Sequence, residues 1–392
     1  MPETVAARLE TQMNGCRLRI LIVGAGIAGA TLAALLHRHG ERPAIIERGS
    51  NTADGGYMLG LMPLGARVLH GLQLTEAYQR ASVAVTTYEA FDRNGGLIRS
   101  YSLADLVDRF GSWRGVERGV LLSLLRDACG PICFETTVKD IIEREKSVTA
   151  IFPDGSRAGF DLIVGADGIH SSTRARIVPD DKVEEFDTGW GGFVMWSTPK
   201  NFAGGTYSEL WSTGWGLGLY PVPGRVGMFL AGRDGKLSET DGEAYAAELE
   251  QRLAAGPFLD ALQARDATIR PTYWRMVDYR SSIWSRGRVV LLGDAAAAFL
   301  PTAGVGASAA MDSAAALADE LSRAESARMN FALELYEKRQ RHRVEATEKN
   351  SRDLSKLMFV NSAPAAWARD KLMEFYSLKH LINDISKVMA GA

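Results

Sequence analysis

The sequence predicts an α/β fold in which a Rossmann-type dinucleotide-binding domain is interleaved with an antiparallel-sheet domain and followed by C-terminal helices. Three observations predict it. Arg19 to Glu47 reads as strand, glycine turn, helix and strand. Two further strand–turn segments lie far downstream, at Gly165 to Gly168 and Gly293 to Gly306. Between them, residues 189 to 231 alternate aromatic and small residues in short runs broken by turns.

The first segment carries the most physical detail. Ile20 to Val23 is an apolar run suited to a parallel strand buried on both faces. Gly24, Gly26 and Gly29 follow at G-x-G-x-x-G spacing, and Ala28 to His39 is rich in helix-forming Ala and Leu. In such a unit the first glycine permits the tight turn, the second lets backbone approach a pyrophosphate, and the third lets helix pack on strand. The uncapped helix start, where Ala28 sits, offers N–H groups and partial positive charge to phosphates. Glu47 ends the second strand, 23 positions after Gly24, where a carboxylate accepts ribose hydroxyls. The stretch predicts a bound dinucleotide without saying which.

The remaining elements follow in order. Residues 1 to 15 are polar and irregular and predict a disordered tail. Pro63 to Gly71 predicts a short helix with proline in its first turn. Val83 to Ser100 predicts a hairpin around the turn Arg93 to Gly96, and Val116 to Cys129 a helix with Arg118 in its first turn. Ile132 to Phe152 predicts short strands, and Leu162 to Val164 a buried strand before the second turn. The aromatic meander, with runs TYSELW, WGLGLY and RVGMFLA, predicts a two-sided sheet. Gly242 to Ala255 and Pro257 to Ala264 predict helices, and Pro271 to Ser282 a strand. Arg288 to Leu292 predicts a strand that enters the third turn and a long helix to Leu321. Helical patterns then cover Asn330 to Met358 and Ala365 to Val388, with a break at Pro364.

Composition narrows the function classes. The 392 residues are 46% hydrophobic and 23% charged, with net charge −2, so neither nucleic acid nor an anionic membrane surface is indicated. Cys16, Cys129 and Cys133 form no C-x-x-C, which suits reduced thiols in a cytoplasmic protein. Ile20 to Leu36 is uncharged, but its ordered glycines and the acid-ended strand beyond speak against a signal segment or a stable membrane insertion. The six histidines show no metal-ligand spacing, so no metal is expected.

Taken together, the three turns resemble those of the single-component FAD-dependent monooxygenases typified by p-hydroxybenzoate hydroxylase, which include the tetracycline-inactivating monooxygenases. The resemblance implies a retained FAD. It places the ADP half on Gly24, Gly26, Ala28, Gly29, Glu47 and Arg48, with Arg118 also reaching the cofactor. It places Asp167 and Gly168 in the family's middle motif, continued by Ser171 and Arg174. Asp294 would accept the ribityl hydroxyls, and Pro301, Gly304, Val305 and Gly306 would set backbone beside the isoalloxazine. The chain departs from the family pattern at Ala297, Val305 and Ser308, where His, Gln and Asn are common.

The resemblance also implies the chemistry: NADPH or NADH as a transient reductant, O₂, a flavin C4a-hydroperoxide, and an oxygenated aromatic or polycyclic small molecule. The flavin carries that reaction, so no catalytic side chain is assigned. A flavin reductase or dehydrogenase without oxygen transfer is the alternative. Met195, Trp196, Trp211, Tyr220 and Phe229 are the candidate substrate wall. Residues 16–80, 115–180 and 280–325 are expected to form the discontinuous FAD-binding domain. Residues 81–114 and 181–279 form the substrate-binding domain, and 326–392 the C-terminal helices. A monomer or weak dimer is expected.

Overall fold

The structure, a computed structural model, describes residues 3–51, 56–200 and 202–375. Its organising element is a six-stranded sheet. The order across it is Ser285–Arg286, Val289–Leu291, Leu162–Gly165, Ile20–Val23, Ala44–Ile46 and Ile132–Cys133. All pairs are parallel except the edge strand Ser285–Arg286. The strand Ile20–Val23 is fully buried, as its unbroken apolar run requires. Its neighbour Leu162–Gly165 pairs in turn with Val289–Leu291. The three turns that are far apart in sequence therefore leave the same end of three adjacent strands.

Two glycines show why the turns sit so close. Gly24 has φ +105°, and a side chain there would lie 2.4 Å from the Ala166 carbonyl oxygen of the second turn. Gly29, in the helix Ile27–Arg38, would place a Cβ 2.0 Å from the Gly24 carbonyl oxygen. Backbone cannot yield to that contact. Gly29→Ala is therefore expected to cost about 2–3 kcal/mol through overpacking, read as a lower urea midpoint. An unchanged midpoint contradicts the contact. Helices Gly306–Arg323 and Arg118–Ala128 pack on Ile27–Arg38 and complete this layer.

The second sheet has eight strands. Thr87–Phe91 and Leu97–Ser102 join it from early in the chain. Val183–Ser197, Thr206–Trp211, Trp215–Val222, Arg225–Arg233 and Thr272–Ser281 supply most of the rest. The short strand Ala297–Ala298 pairs with Thr272–Ser281 and links this sheet to the third turn. Helices Gly242–Glu250 and Pro257–Gln263 bury Tyr245, Leu249, Phe258 and Leu262 against one face.

Several expectations need correction. Residues 1–15 are not a disordered tail over their described part, because Val5–Gln12 is a helix. Val5 and Leu9 recur at helical spacing and are buried. The Val5 and Ala6 amides donate to the side chains of Asp154 and Ser156, which satisfies two of the helix's free N–H groups. Residues 114–117 form a strand, so the next helix begins at Arg118 rather than Val116. Pro364 follows the break rather than making it. It lies in the first turn of the helix Ala363–Phe375, the gap being at residues 359–362. The expected continuation of this helix to Val388 lies outside the described residues.

The long helix Met329–Met358 crosses the second sheet and meets it through charge. Arg352 Nε and Nη2 donate to both carboxylate oxygens of fully buried Asp278, at 2.8 and 2.6 Å. Beside this pair, Arg280 Nε lies 2.9 Å from Glu348 Oε2. That contact is misaligned, and both Arg280 Nε and Glu348 Oε1 are buried without a hydrogen bond. Burial pushes the Glu348 carboxyl up to about 8, with Asp278 adding to the rise and Arg280 and Arg352 opposing it. The folded chain thus favours protonated Glu348. Its stabilisation is complete below the unfolded carboxyl range and is lost as pH rises toward 8. Relative to the native chain, Glu348→Gln should gain stability progressively from pH 5 to pH 8. Parallel urea midpoints across that range would contradict this.

Candidate active site

A cavity of about 730 Å³ lies between the two sheets. One wall is built from the three turns. Gly26, Ile27 and Ala28 line it from the first, Gly168 and Ile169 from the second, and Asp294, Pro301, Gly304 and Gly306 from the third. Arg118 and Tyr57 close the side. The opposite wall is the aromatic sheet, with Trp190, Trp211, Tyr220, Phe229 and Trp274. Phe359, at the end of the long helix, stacks on Trp190 at 4.7 Å and forms part of the rim.

Two helices present their N-termini here. Ile27–Arg38 has Gly26 as its cap residue and Gly306–Arg323 has Val305; neither cap makes a side-chain hydrogen bond to the helix. Nothing lies within 4 Å of a Cβ built at Gly26, so this helix start is open to a ligand. Unsatisfied N–H groups and the positive end of each dipole therefore face the same space. Arg118 occupies the first turn of its own helix, where a cation opposes the dipole. An anionic ligand offsets that cost.

Asp294 is surrounded by protein, yet its carboxylate is reachable from the cavity. The carboxylate accepts no hydrogen bond from another described residue. Burial pushes its carboxyl up to about 6, and the charges of Arg118 and Arg174 hold it from rising further. Arg174 is itself buried and fastens the second turn to the third. Its guanidinium donates to the carbonyls of Ile169 at 2.6 Å and Ala295 at 3.1 Å.

The expected cofactor residues fall into two groups. Gly26, Ala28, Arg118, Asp294, Pro301, Gly304 and Gly306 line the cavity, with Gly24, Gly29 and Val305 shaping its turns. Glu47 stands behind the first turn and accepts from the amides of Ala25 and Gly49, both at 2.8 Å. Arg48 beside it is exposed. Asp167 is a correction: its carboxylate is occupied within its own turn. It accepts from Ser171, from Ser172 Oγ at 3.2 Å, and from Thr173 N at 2.9 Å and Oγ1 at 3.1 Å. Gly168, not Asp167, fronts the cavity.

Of the five candidate wall residues, Trp211, Tyr220 and Phe229 line the cavity. Met195 does not. Alternation turns it to the far face, where it packs with Phe193, Leu230 and Phe258. Trp196 is on the cavity face but beyond its edge, beneath the Arg225 guanidinium at 3.8 Å. Arg225 is held there by Glu117 through two hydrogen bonds, at 2.9 and 2.6 Å. Sequence reasoning missed Trp190, Trp274, Phe359 and Tyr57, and above all Glu209, a buried acid in the wall. The acid inside the aromatic run TYSELW was its visible signal.

Among the described residues, no helix is long and apolar enough to cross a membrane, and no group of three or more His, Cys, Asp or Glu is placed to hold a metal ion.

Comparison with known proteins supplies the family. The sequence profile described as "FAD binding domain" matches residues 17–351. The chain is 30% identical over 382 residues to the 3-amino-4-hydroxybenzoate 2-monooxygenase PtnB3 of Streptomyces platensis, covering 93% of this chain and 94% of that protein. In fold it is similar to Klebsiella pneumoniae HpxO, solved with FAD and uric acid, at TM-score 0.86 and 24% identity over 95% of this chain and 97% of that one. It is also similar in fold to Pseudomonas aeruginosa PqsL, solved with 2-aminobenzoylacetate, at TM-score 0.77 and 23% identity over 90% and 99%. The cavity suits the cofactor of such proteins: two uncapped helix starts and a cation for a pyrophosphate, an unpartnered acid for hydroxyls, and an apolar wall for a planar ring. The chain belongs to the FAD binding domain family and, within it, to the single-component flavoprotein monooxygenases.

Proposed function

We propose that the enzyme uses NADPH or NADH and O₂ to insert one oxygen atom into an aromatic or polycyclic small molecule. The observation that carries this reading is the single cavity in which the three turns face an aromatic sheet. The S. platensis relative is named for an aminohydroxybenzoate, which supports a ring bearing electron-donating groups.

Bound in the cavity, FAD supplies the redox chemistry and the activation of O₂. The protein's part is to bind, orient and exclude water. The helix starts at Gly26 and Gly306 give their amides and dipoles to anionic and electron-rich groups. Gly24 and Gly29 set the first turn, and Ala28, Arg118, Pro301, Gly304 and Val305 complete the cradle. Glu47 and Arg48 serve the adenosine end, and Asp294 the hydroxylated chain. The aromatic wall holds the substrate and keeps water from the reacting atoms. Residues 16–80, 115–180 and 280–325 thus serve the cofactor, and residues 81–114 and 181–279 the substrate.

Phe229→Ala should raise the substrate KM about 10–100-fold, the equivalent of a buried aromatic side chain, with flavin content unchanged. Equal KM values would remove Phe229 from the wall. The reading as a whole is tested with ¹⁸O₂. The purified flavoprotein is given NADPH or NADH and a panel of phenols, anilines and polycyclic aromatics, and product masses are measured. Label in a product supports oxygen transfer. Oxidation of NAD(P)H by every substrate without label supports the reductase alternative.

A further inference from the structure

The cavity wall has a chemical asymmetry that its register makes explicit. One row of cross-strand neighbours runs Trp211, Gly216, Ala231, Gly192, Trp274. It is a floor of small residues between two indoles. The adjacent row runs Ala90, Glu209, Gly218, Phe229, Val194. Glu209 therefore borders the floor, opposite Gly218, and the Tyr220 ring lies over that glycine.

Glu209 is 8% exposed and lines the cavity. Its Oε2 accepts from the Tyr88 hydroxyl at 2.8 Å, and its Oε1 accepts from Tyr207. Tyr207 in turn lies 3.0 Å from the Tyr220 hydroxyl. The Trp211 indole N–H, two residues along on the same face, is buried and makes no aligned hydrogen bond. Burial raises the proton affinity of Glu209, and the neutral donors Tyr207, Tyr88 and Trp211 oppose the rise. Among the described residues, no arginine or lysine acts on it.

An acid in an apolar wall without a cationic partner is costly, and the two buried phenols it satisfies offset that cost only in part. A carboxylate has about four lone-pair directions; the two phenols use one on each oxygen. Trp211 is a third, poorly aligned donor to the acid, and Glu209 lines the cavity with acceptor capacity to spare. A bare ether or a second carboxylate at this end leaves the acid unmatched or repelled. A hydroxyl or amine satisfies it.

We propose that Glu209 is the specificity-determining residue of this cavity: its carboxylate accepts a hydrogen bond from an O–H or N–H on the aromatic substrate and so selects and orients donor-bearing rings. This rests on the reading of the cavity as the oxygenation site. Leaving a buried acceptor unpaired is the penalty that rejects the methylated analogue.

The test is a panel of one- to three-ring phenols and anilines in matched pairs with their O- or N-methylated counterparts. Each is titrated into the full-length flavoprotein and followed by the flavin absorbance change. The native chain should bind the free O–H or N–H member at least tenfold more tightly. Glu209→Gln, which brings its own N–H, should bring the pairs close to parity. No preference in the native chain, or the same preference in Glu209→Gln, overturns the proposal. If Glu209→Gln loses its flavin, Tyr88→Phe takes its place. That variant keeps the acid and frees Oε2, so the donor preference should widen; an unchanged preference overturns the assignment. The titration needs neither reductant nor O₂. Absence of labelled product with the preference intact therefore sinks the oxygenation reading alone, and labelled product without the preference sinks only Glu209.

Discussion

Asp294→Ala should purify largely without flavin, and its dissociation constant for added FAD should rise at least about a hundredfold. The estimate follows from two charge-assisted hydrogen bonds to cofactor hydroxyls, each contributing about 1.5–3 kcal/mol. Asp294 is the acid of the turn side of the cavity that no described residue satisfies, so its loss is not made good by a neighbour. The folded state should survive, because the turn is fastened through backbone carbonyls by Arg174 rather than through this carboxylate. A pH dependence comes with it. The Asp294 carboxyl sits at about 6, so the ionised acceptor is present above that value and is lost as pH falls through it. FAD affinity of the native chain should therefore weaken below about pH 6, while Asp294→Asn shows a flat profile in that region. Spectrophotometric titration across pH measures both. An alanine variant that retains full flavin would remove Asp294 from the cofactor site.

The second large effect is on stability. Arg352→Met should cost about 3–5 kcal/mol, because it leaves a buried carboxylate without its partner. Asp278 has no exposed surface, and Arg352 meets it with two parallel hydrogen bonds while also reaching Glu184 at 2.7 Å. Glu348 lies close enough to add a second acid to the same region. The double variant Asp278→Leu with Arg352→Met removes the stranded charge and should recover most of the loss. Urea unfolding of the two variants decides the matter. Equal destabilisation of both would mean that packing of the Arg352 stem, not its charge, holds the helix.

The parts of the site that follow from local chain chemistry could be read from the residues. Gly24, Gly26 and Gly29 do their work within one strand–turn–helix unit, and the third turn at Asp294 is equally local. What brings the three turns together is strand order, which no local pattern encodes; the family resemblance supplied it. The aromatic wall was legible as a sheet but not in phase. Val183–Ser197 shifts register between Asp187 and Gly191, and both faces of the sheet are covered. Hydrophobic alternation therefore does not distinguish the cavity face from the helix-packed one, and Met195 was placed on the wrong side. Asp167 carried a motif position, but its neighbours Ser171, Ser172 and Thr173 occupy the carboxylate. The helix Val5–Gln12 went unrecognised because its order comes from docking on residues near 154.

The strand Ile20–Val23, third from one edge of the six-stranded sheet, has a temporal consequence. During synthesis it leaves the ribosome early, yet it pairs with Leu162–Gly165, and that strand pairs with Val289–Leu291. Thr87–Phe91 likewise pairs with Thr206–Trp211. Neither sheet closes until most of the polypeptide has emerged. Such long-separation parallel pairing makes folding slow and leaves apolar edges uncovered in the meantime. The three turns that line the cavity therefore come together only when the third strand–turn segment is released.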